Sequence, residues 1–228
     1  EHFGRPASSL TTIGVTGTKG KTTTTYLIKH ILEKAGHKVG LVGTIETIIN
    51  DEHIPSKNTT PESFLLQQYF REMADAGIDT VVMEVSSQAL KLHRTQGFIF
   101  DYGVFTNISP DHIGDNEHKD FEEYMECKSR LFRQCITGIV NGDDGHLNDI
   151  LKGHTCNVET FGFNTDNDLR AENVKLVNGG NYLGVNFDVK GLMNFNTDAD
   201  FPGRFSVYNA LCAIAVCRHF NVSEDDIR

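Results

Sequence analysis

The sequence is short of positive charge. Its 228 residues hold 21 lysines and arginines against 31 aspartates and glutamates, a formal net charge of -10 with a pI near 5.4. That balance excludes a protein whose main partner is a nucleic-acid backbone, which needs a basic face. Any phosphate bound here must be met by local positive groups. Long apolar runs are missing as well, since none reaches the roughly 18 residues that span a bilayer. The opening EHFGRPASSL lacks a secretion-signal pattern. No membrane partner is therefore expected, and the cytoplasm is the expected compartment. The five cysteines (Cys127, Cys135, Cys156, Cys212, Cys217) form no C-x-x-C pair and no zinc-ligand spacing, and their odd number argues against a closed disulfide framework. They read as reduced thiols. Internal repeats and low-complexity linkers are also absent, which leaves one composite domain.

What is present is an ordinary 39% apolar content, enough for a sizeable core. Leu10 to Thr16 is β-branched and apolar and ends in a glycine turn. A helical pattern from about Lys21 to Ala35 follows, closed by Gly36. Val39 to Thr44 reads as the next strand, and Thr47 to Ile54 as an edge hairpin turning at Asn50-Asp51. Pro61 opens a helix to about Ala76; Thr80 to Val85 and Tyr102 to Ile108 read as strands. Such alternation predicts an α/β fold, a mostly parallel sheet with helices on both faces. A long helix over Lys119 to Cys135 and a strand over Gly138 to Asn141 come next. Val158 to Phe163, Asn173 to Val177 and Tyr182 to Val189 then read as a small antiparallel annex, and Arg204 to Phe220 as a last helix, with NVSEDDIR starting another.

The segment TGTKGKTT is the first candidate site. Gly17 and Gly20 let backbone N–H groups turn inward around an anion, Lys21 can reach the outer phosphates, and the Thr22 hydroxyl suits Mg²⁺. The positive end of the following helix adds to this. Only the shorter G-x-x-G-K-T is met, because Val15 stands where the full phosphate-loop pattern has its first glycine. A threonine-rich helix start is the alternative. Mg-ATP or Mg-GTP is the favoured ligand.

Glu84 ends one strand pattern and Asp111-His112 follow another, so both fall at the carboxyl edge where open α/β sheets bind ligands. Glu84 and His112 are credible Mg²⁺ ligands; a helix cap and a surface histidine are the plainer readings. Lys128 falls on the apolar stripe of Phe121, Met125, Phe132 and Cys135. Such a lysine either snorkels to solvent, the commoner outcome, or is buried as a neutral amine able to add CO₂.

Taken together, TGTKGKTT, NTTPES, MEVSSQAL, FTNISPDH, the ECK ending at Lys128 and FPGRFSVYNALCA resemble the Mur ligases, ATP-dependent amide-forming enzymes of peptidoglycan precursor synthesis. NTT with EVSS and a following HR is most similar to the MurE branch, which adds the third amino acid to a UDP-N-acetylmuramoyl-dipeptide. The resemblance covers nearly the whole chain as a central ATP-binding domain, with residues 1–11 as a linker and separate N- and C-terminal domains as partners.

It implies ATP and Mg²⁺ as cofactors, and small-molecule substrates, the muramoyl-dipeptide and an amino acid. It implies that Gly17, Thr18, Lys19, Gly20, Lys21, Thr22, Thr23 and Asn209 serve ATP. Thr22, Glu84, His112 and a carboxylated Lys128 would serve the metal. Lys21, Glu84, His112 and Lys128 would be catalytic, and Asn58, Thr59, Thr60, Ser86 and Arg94 would contact the acceptor. Lys19, Leu92 and the PDHIGDNEH loop depart from the family pattern. The competing expectations are a folylpolyglutamate synthase-like ligase and a nucleotide-binding module without turnover.

Overall fold

The computed structural model describes residues 2–111, 113–114, 117–178 and 183–228. Among the described residues eleven strands form one sheet: β1 (Thr11–Thr16), β2 (Val39–Val42), β3 (Glu46–Ile49), β4 (Glu52–Pro55), β5 (Thr80–Glu84), β6 (Phe100–Phe105), β7 (Cys135–Asn141), β8 (Asn157–Gly162), β9 (Leu169–Asn178), β10 (Leu183–Gly191) and β11 (Phe195–Ala199). Their order is β11-β10-β9-β8-β7-β6-β1-β5-β2-β3-β4. The block from β2 through β5, β1, β6, β7 and β8 to β9 is parallel, and antiparallel strands extend it at both ends, β3 and β4 beyond β2 and β10 and β11 beyond β9. The helices are α1 (Lys21–Lys34), α2 (Ser63–Asp75), α3 (Ser87–Lys91), α4 (Phe121–Ser129), α5 (Leu147–Ile150), α6 (Arg204–Cys217) and α7 (Glu224–Ile227).

Strand alternation sorts the core into two layers. Ile13, Val15, Val82, Val104 and Ile139 face α1 and α6, while Val81, Met83, Phe105 and Val140 face α2 and α4. Parallel strands covered on both faces explain the near-continuous apolar runs TIGVT and TVVMEV. Phe70 of α2 is fully buried, its ring 5.3 Å from that of Phe98. Phe70→Ala is expected to lower unfolding free energy by about 3–5 kcal/mol, which a urea titration measures.

Two expectations need correction. The predicted annex is continuous with the main sheet: β8 pairs parallel with β7, so its first strand belongs to the parallel block. β9 in turn pairs parallel with β8, and only the β9–β10 and β10–β11 pairings are antiparallel there; β11 had no clear sequence pattern, and Tyr182 lies outside the described residues. The helix expected over Lys119 to Cys135 ends at Ser129, tightens into a 3₁₀ turn over Arg130–Arg133, and gives Cys135 to β7. The apolar stripe continued past the helix because Phe132 and Cys135 remain buried in the new geometry. Finally, α3 and α5 are too short for periodicity to show. All five cysteines are free and buried, as the reduced reading expects.

Candidate active site

Thr16 ends the central strand β1, and the chain turns through Gly17–Gly20 into α1. Gly20 has φ +87°, a left-handed value that a side chain resists. The next segment after β6 braces the loop. Thr18 N–H donates to the Asn107 carbonyl at 2.8 Å, and Lys19 N–H to Asn107 Oδ1 at 3.0 Å. Thr106 Oγ1 and Asn107 Nδ2 both donate to the Lys19 carbonyl. A Cβ on Gly17 would lie 2.0 Å from Thr106 Oγ1, so this close brace requires glycine. The Lys19 side chain itself is exposed, and Thr23 is exposed on the first turn of α1.

Lys21 Nζ donates to the carbonyls of Gly17 (2.9 Å) and Thr18 (3.2 Å). Burial lowers its pKa, against the raising influence of Glu84 and Asp111. Thr22 Oγ1 donates to Glu84 Oε1 at 3.0 Å, so the first turn of α1 and the end of β5 meet. Glu84 is 1% exposed, and it also accepts from Thr44 N–H (2.9 Å) and Thr44 Oγ1 (3.0 Å). It is no helix cap: Ser86 caps α3 by accepting from Ala89 N–H. A carboxylate beside a hydroxyl is the hard oxygen pair that Mg²⁺ takes, so Thr22 and Glu84 fit such an ion. Among the described residues no three His, Cys, Asp or Glu side chains cluster as a metal cage. His112 lies outside the described residues.

Lys128 is 1% exposed and does not snorkel. Its Nζ donates to the Gly17 carbonyl at 3.0 Å and sits 4.4 Å from the Tyr124 ring centroid. Burial first, and then the charge of Lys21, push its pKa well below the usual lysine range; Asp111 and Cys127 oppose this. The buried alternative therefore holds, and it brings Lys128 to the phosphate loop. Tyr124 OH and Thr18 Oγ1 are 3.1 Å apart, which ties the same helix to the same loop.

On the other side of Glu84, Thr60 Oγ1 donates to the Glu84 carbonyl (2.9 Å) and accepts from Ser86 N–H (3.0 Å). Arg94 donates to the Thr60 carbonyl and pairs with Glu62 at 2.6 Å. Thr59 Oγ1 is 3.1 Å from Thr44 Oγ1, and Asn58 is exposed beside them. Asn209 of α6 reaches the phosphate loop from the opposite face: its Oδ1 is 3.5 Å from Thr24 Oγ1. Next to it is a cavity of about 320 Å³ whose walls include Asn107, Ile108, Phe205 and Tyr208, amide and apolar surfaces suited to a flat base. Sequence reasoning missed Thr44, Glu62, Thr106, Asn107 and Tyr124. Thr44 and Asn107 could have been flagged, since both fall just beyond the carboxyl ends of strands.

A phosphate loop at the carboxyl edge of a parallel sheet, with a carboxylate on its threonine and a buried amine on its carbonyl, defines a nucleotide-binding α/β module of the phosphate-loop class. The description Mur ligase middle domain matches residues 15–217, and the chain belongs to the Mur ligase family. The UDP-N-acetylmuramoyl-L-alanyl-D-glutamate–2,6-diaminopimelate ligase 1 of Clostridium acetobutylicum is 40% identical over 99% of this chain and 46% of its own length. A solved UDP-N-acetylmuramoyl-L-alanyl-D-glutamate–2,6-diaminopimelate ligase superposes with TM-score 0.85 at 25% identity, over 96% of this chain and 45% of that one. The folylpolyglutamate synthase of Mycobacterium tuberculosis shares the fold, with TM-score 0.70 at 16% identity over 99% of this chain and 59% of the other. The chain thus spans about half the length of the curated relatives it matches.

Proposed function

We propose that this chain is the ATP-binding domain of a cytoplasmic ligase that activates the D-Glu side-chain carboxylate of UDP-N-acetylmuramoyl-L-Ala-D-Glu and joins it to an amino acid. The observation that carries this reading is the meeting of Lys21, Thr22, Glu84 and Lys128 on one phosphate loop. Flanking domains dock the uridine end and the incoming amino acid. Names of the relatives make 2,6-diaminopimelate the first amine to offer.

In the reaction, a carboxylate oxygen of the acceptor attacks the γ-phosphorus of ATP, and the bond to ADP breaks. The amine then attacks the acyl carbon, loses a proton, and phosphate leaves with the carboxylate oxygen. Lys21 and the loop N–H groups hold the phosphoryl oxygens, where stabilisation is chiefly electrostatic and geometric. Thr22, Glu84 and His112 would hold Mg²⁺, which would supply charge neutralisation on the transferred group. Neutral Lys128 Nζ adds CO₂ to form an N–C bond, releases one proton, and becomes a carbamate, a further oxygen donor. Thr59, Thr60, Ser86 and Arg94 line the acceptor side, with Asn58 at its rim, and Asn209 faces the base.

Phosphate release from Mg-ATP tests this, in the full-length protein and in this chain, with the muramoyl-dipeptide or a folate and a panel of amino acids. Release that needs the muramoyl acceptor is expected from the full-length protein. Release with folate would move the assignment to the synthase reading, and nucleotide binding with no release would leave a non-catalytic module.

A further inference from the structure

One buried histidine has no part in the reaction as described. His118, on the approach to α4, is 0% exposed, and its Nε2 lies 2.9 Å from Ser87 Oγ at the start of α3. Its Nδ1 lies 3.6 Å from Glu123 Oε2. That carboxylate also accepts from Lys119 N–H (2.9 Å) and from Lys91 Nζ (3.0 Å), and Lys91 donates to the Glu117 carbonyl. Serine, histidine and carboxylate in that order have the connectivity of a nucleophilic triad. Burial argues for another use. Ser87 is 4% exposed and the imidazole fully covered, so no substrate carbonyl reaches the hydroxyl.

The network instead joins the two halves of the site. Ser87 lies three residues after Glu84 and one after Ser86, on the turn whose backbone is held by Thr60. His118 leads into the helix that carries Tyr124, whose ring is 5.2 Å from the imidazole, and Lys128. Tyr124 and Lys128 in turn touch Thr18 and Gly17. Between α3 and α4 the imidazole, beside the Lys91–Glu123 pair, therefore connects the turn of Glu84 and Ser86 to the helix of Lys128.

We infer that His118 is a positioning residue that fixes the spacing between the acceptor side, Glu84–Ser86, and the phosphate side, Tyr124–Lys128. The inference rests on the proposed ligase reading. Loss of that register misplaces carboxylate and phosphate relative to each other, and misplacement of about 1 Å costs up to about a hundredfold in rate. It leaves the phosphate loop's own nucleotide contacts alone, because the loop is braced separately by Thr106 and Asn107.

The test uses His118→Ala, His118→Gln and Ser87→Ala in the full-length protein. It reads acceptor-dependent phosphate release, ATP affinity by calorimetry and the thermal midpoint. For His118→Ala, kcat is expected to fall about ten- to a hundredfold with ATP affinity within about twofold of the parent. His118→Gln, whose amide reaches a similar point, is expected to recover most of the rate, and Ser87→Ala to reproduce the loss without a comparable fall in midpoint. Native kcat per folded molecule in Ser87→Ala, or equal losses in His118→Ala and His118→Gln, would overturn the inference. Should His118→Ala not fold, Ser87→Ala decides alone. Absence of acceptor-dependent release from the unaltered protein would instead refute the ligase reading.

Discussion

Lys21→Ala is expected to reduce acceptor-dependent phosphate release by about a thousandfold, the scale seen when a preorganised charge partner is removed from a transition state. The reason is placement. Lys21 is held by the carbonyls of Gly17 and Thr18 at the mouth of the loop, with Glu84 and Asp111 as the acidic groups acting on it. Among the described residues the one other basic side chain that donates to that loop is Lys128, whose pKa burial pushes well below the usual lysine range. Charge developing on the transferred phosphoryl group would lose its nearest fixed positive partner. Lys21→Arg is expected to be nearly as damaging, because a planar five-donor fork does not fit a pocket shaped for a point charge. Stopped-flow phosphate detection, with thermal melts showing that both variants stay folded, checks this.

Lys128→Met is expected to separate stability from function. Activity should fall by on the order of a hundredfold or more, while the thermal midpoint in bicarbonate-free buffer rises. A buried amine whose desolvation outweighs the attraction of Asp111 disfavours folding. Removing it leaves the Gly17 carbonyl still paired with Lys21. The sign with pH follows from the depressed pKa. Below the unfolded value of about 10.4, the unfolded chain binds a proton that the folded chain does not, so the parent loses stability as pH falls until its own folded pKa is reached. The gain from Lys128→Met should thus be larger at pH 7 than at pH 10. A midpoint that falls, or a gain independent of pH, would show that Lys128 is not buried neutral. If short carboxylates or added CO₂ leave the activity of Lys128→Ala and parent unchanged, the carbamate has no role.

Much of this site was legible because chain chemistry and sheet position coincide. TGTKGKTT after an apolar strand fixes both the loop and its place at the carboxyl edge, and MEVSS puts Glu84 there by the same rule. The parallel core was legible because buried strands are apolar on both faces. What was not legible depends on contacts between distant segments. Spacing alone could not decide Lys128, because snorkelling and burial share a periodicity; only the loop carbonyl at 3.0 Å and the Tyr124 ring separate them. The parallel partner of β8 was hidden for a related reason, since a half-exposed strand reads alike in either direction. The Ser87–His118 contact joins residues 31 apart and has no local signature at all.

The central claim is that the acceptor's carboxylate oxygen attacks the γ-phosphorus. Muramoyl-dipeptide labelled with ¹⁸O in the D-Glu side-chain carboxylate, turned over by the full-length protein with Mg-ATP and 2,6-diaminopimelate, tests it by ³¹P NMR of the released phosphate. One ¹⁸O in each phosphate is the predicted result. Phosphate free of ¹⁸O, its new oxygen drawn from water, would contradict the account.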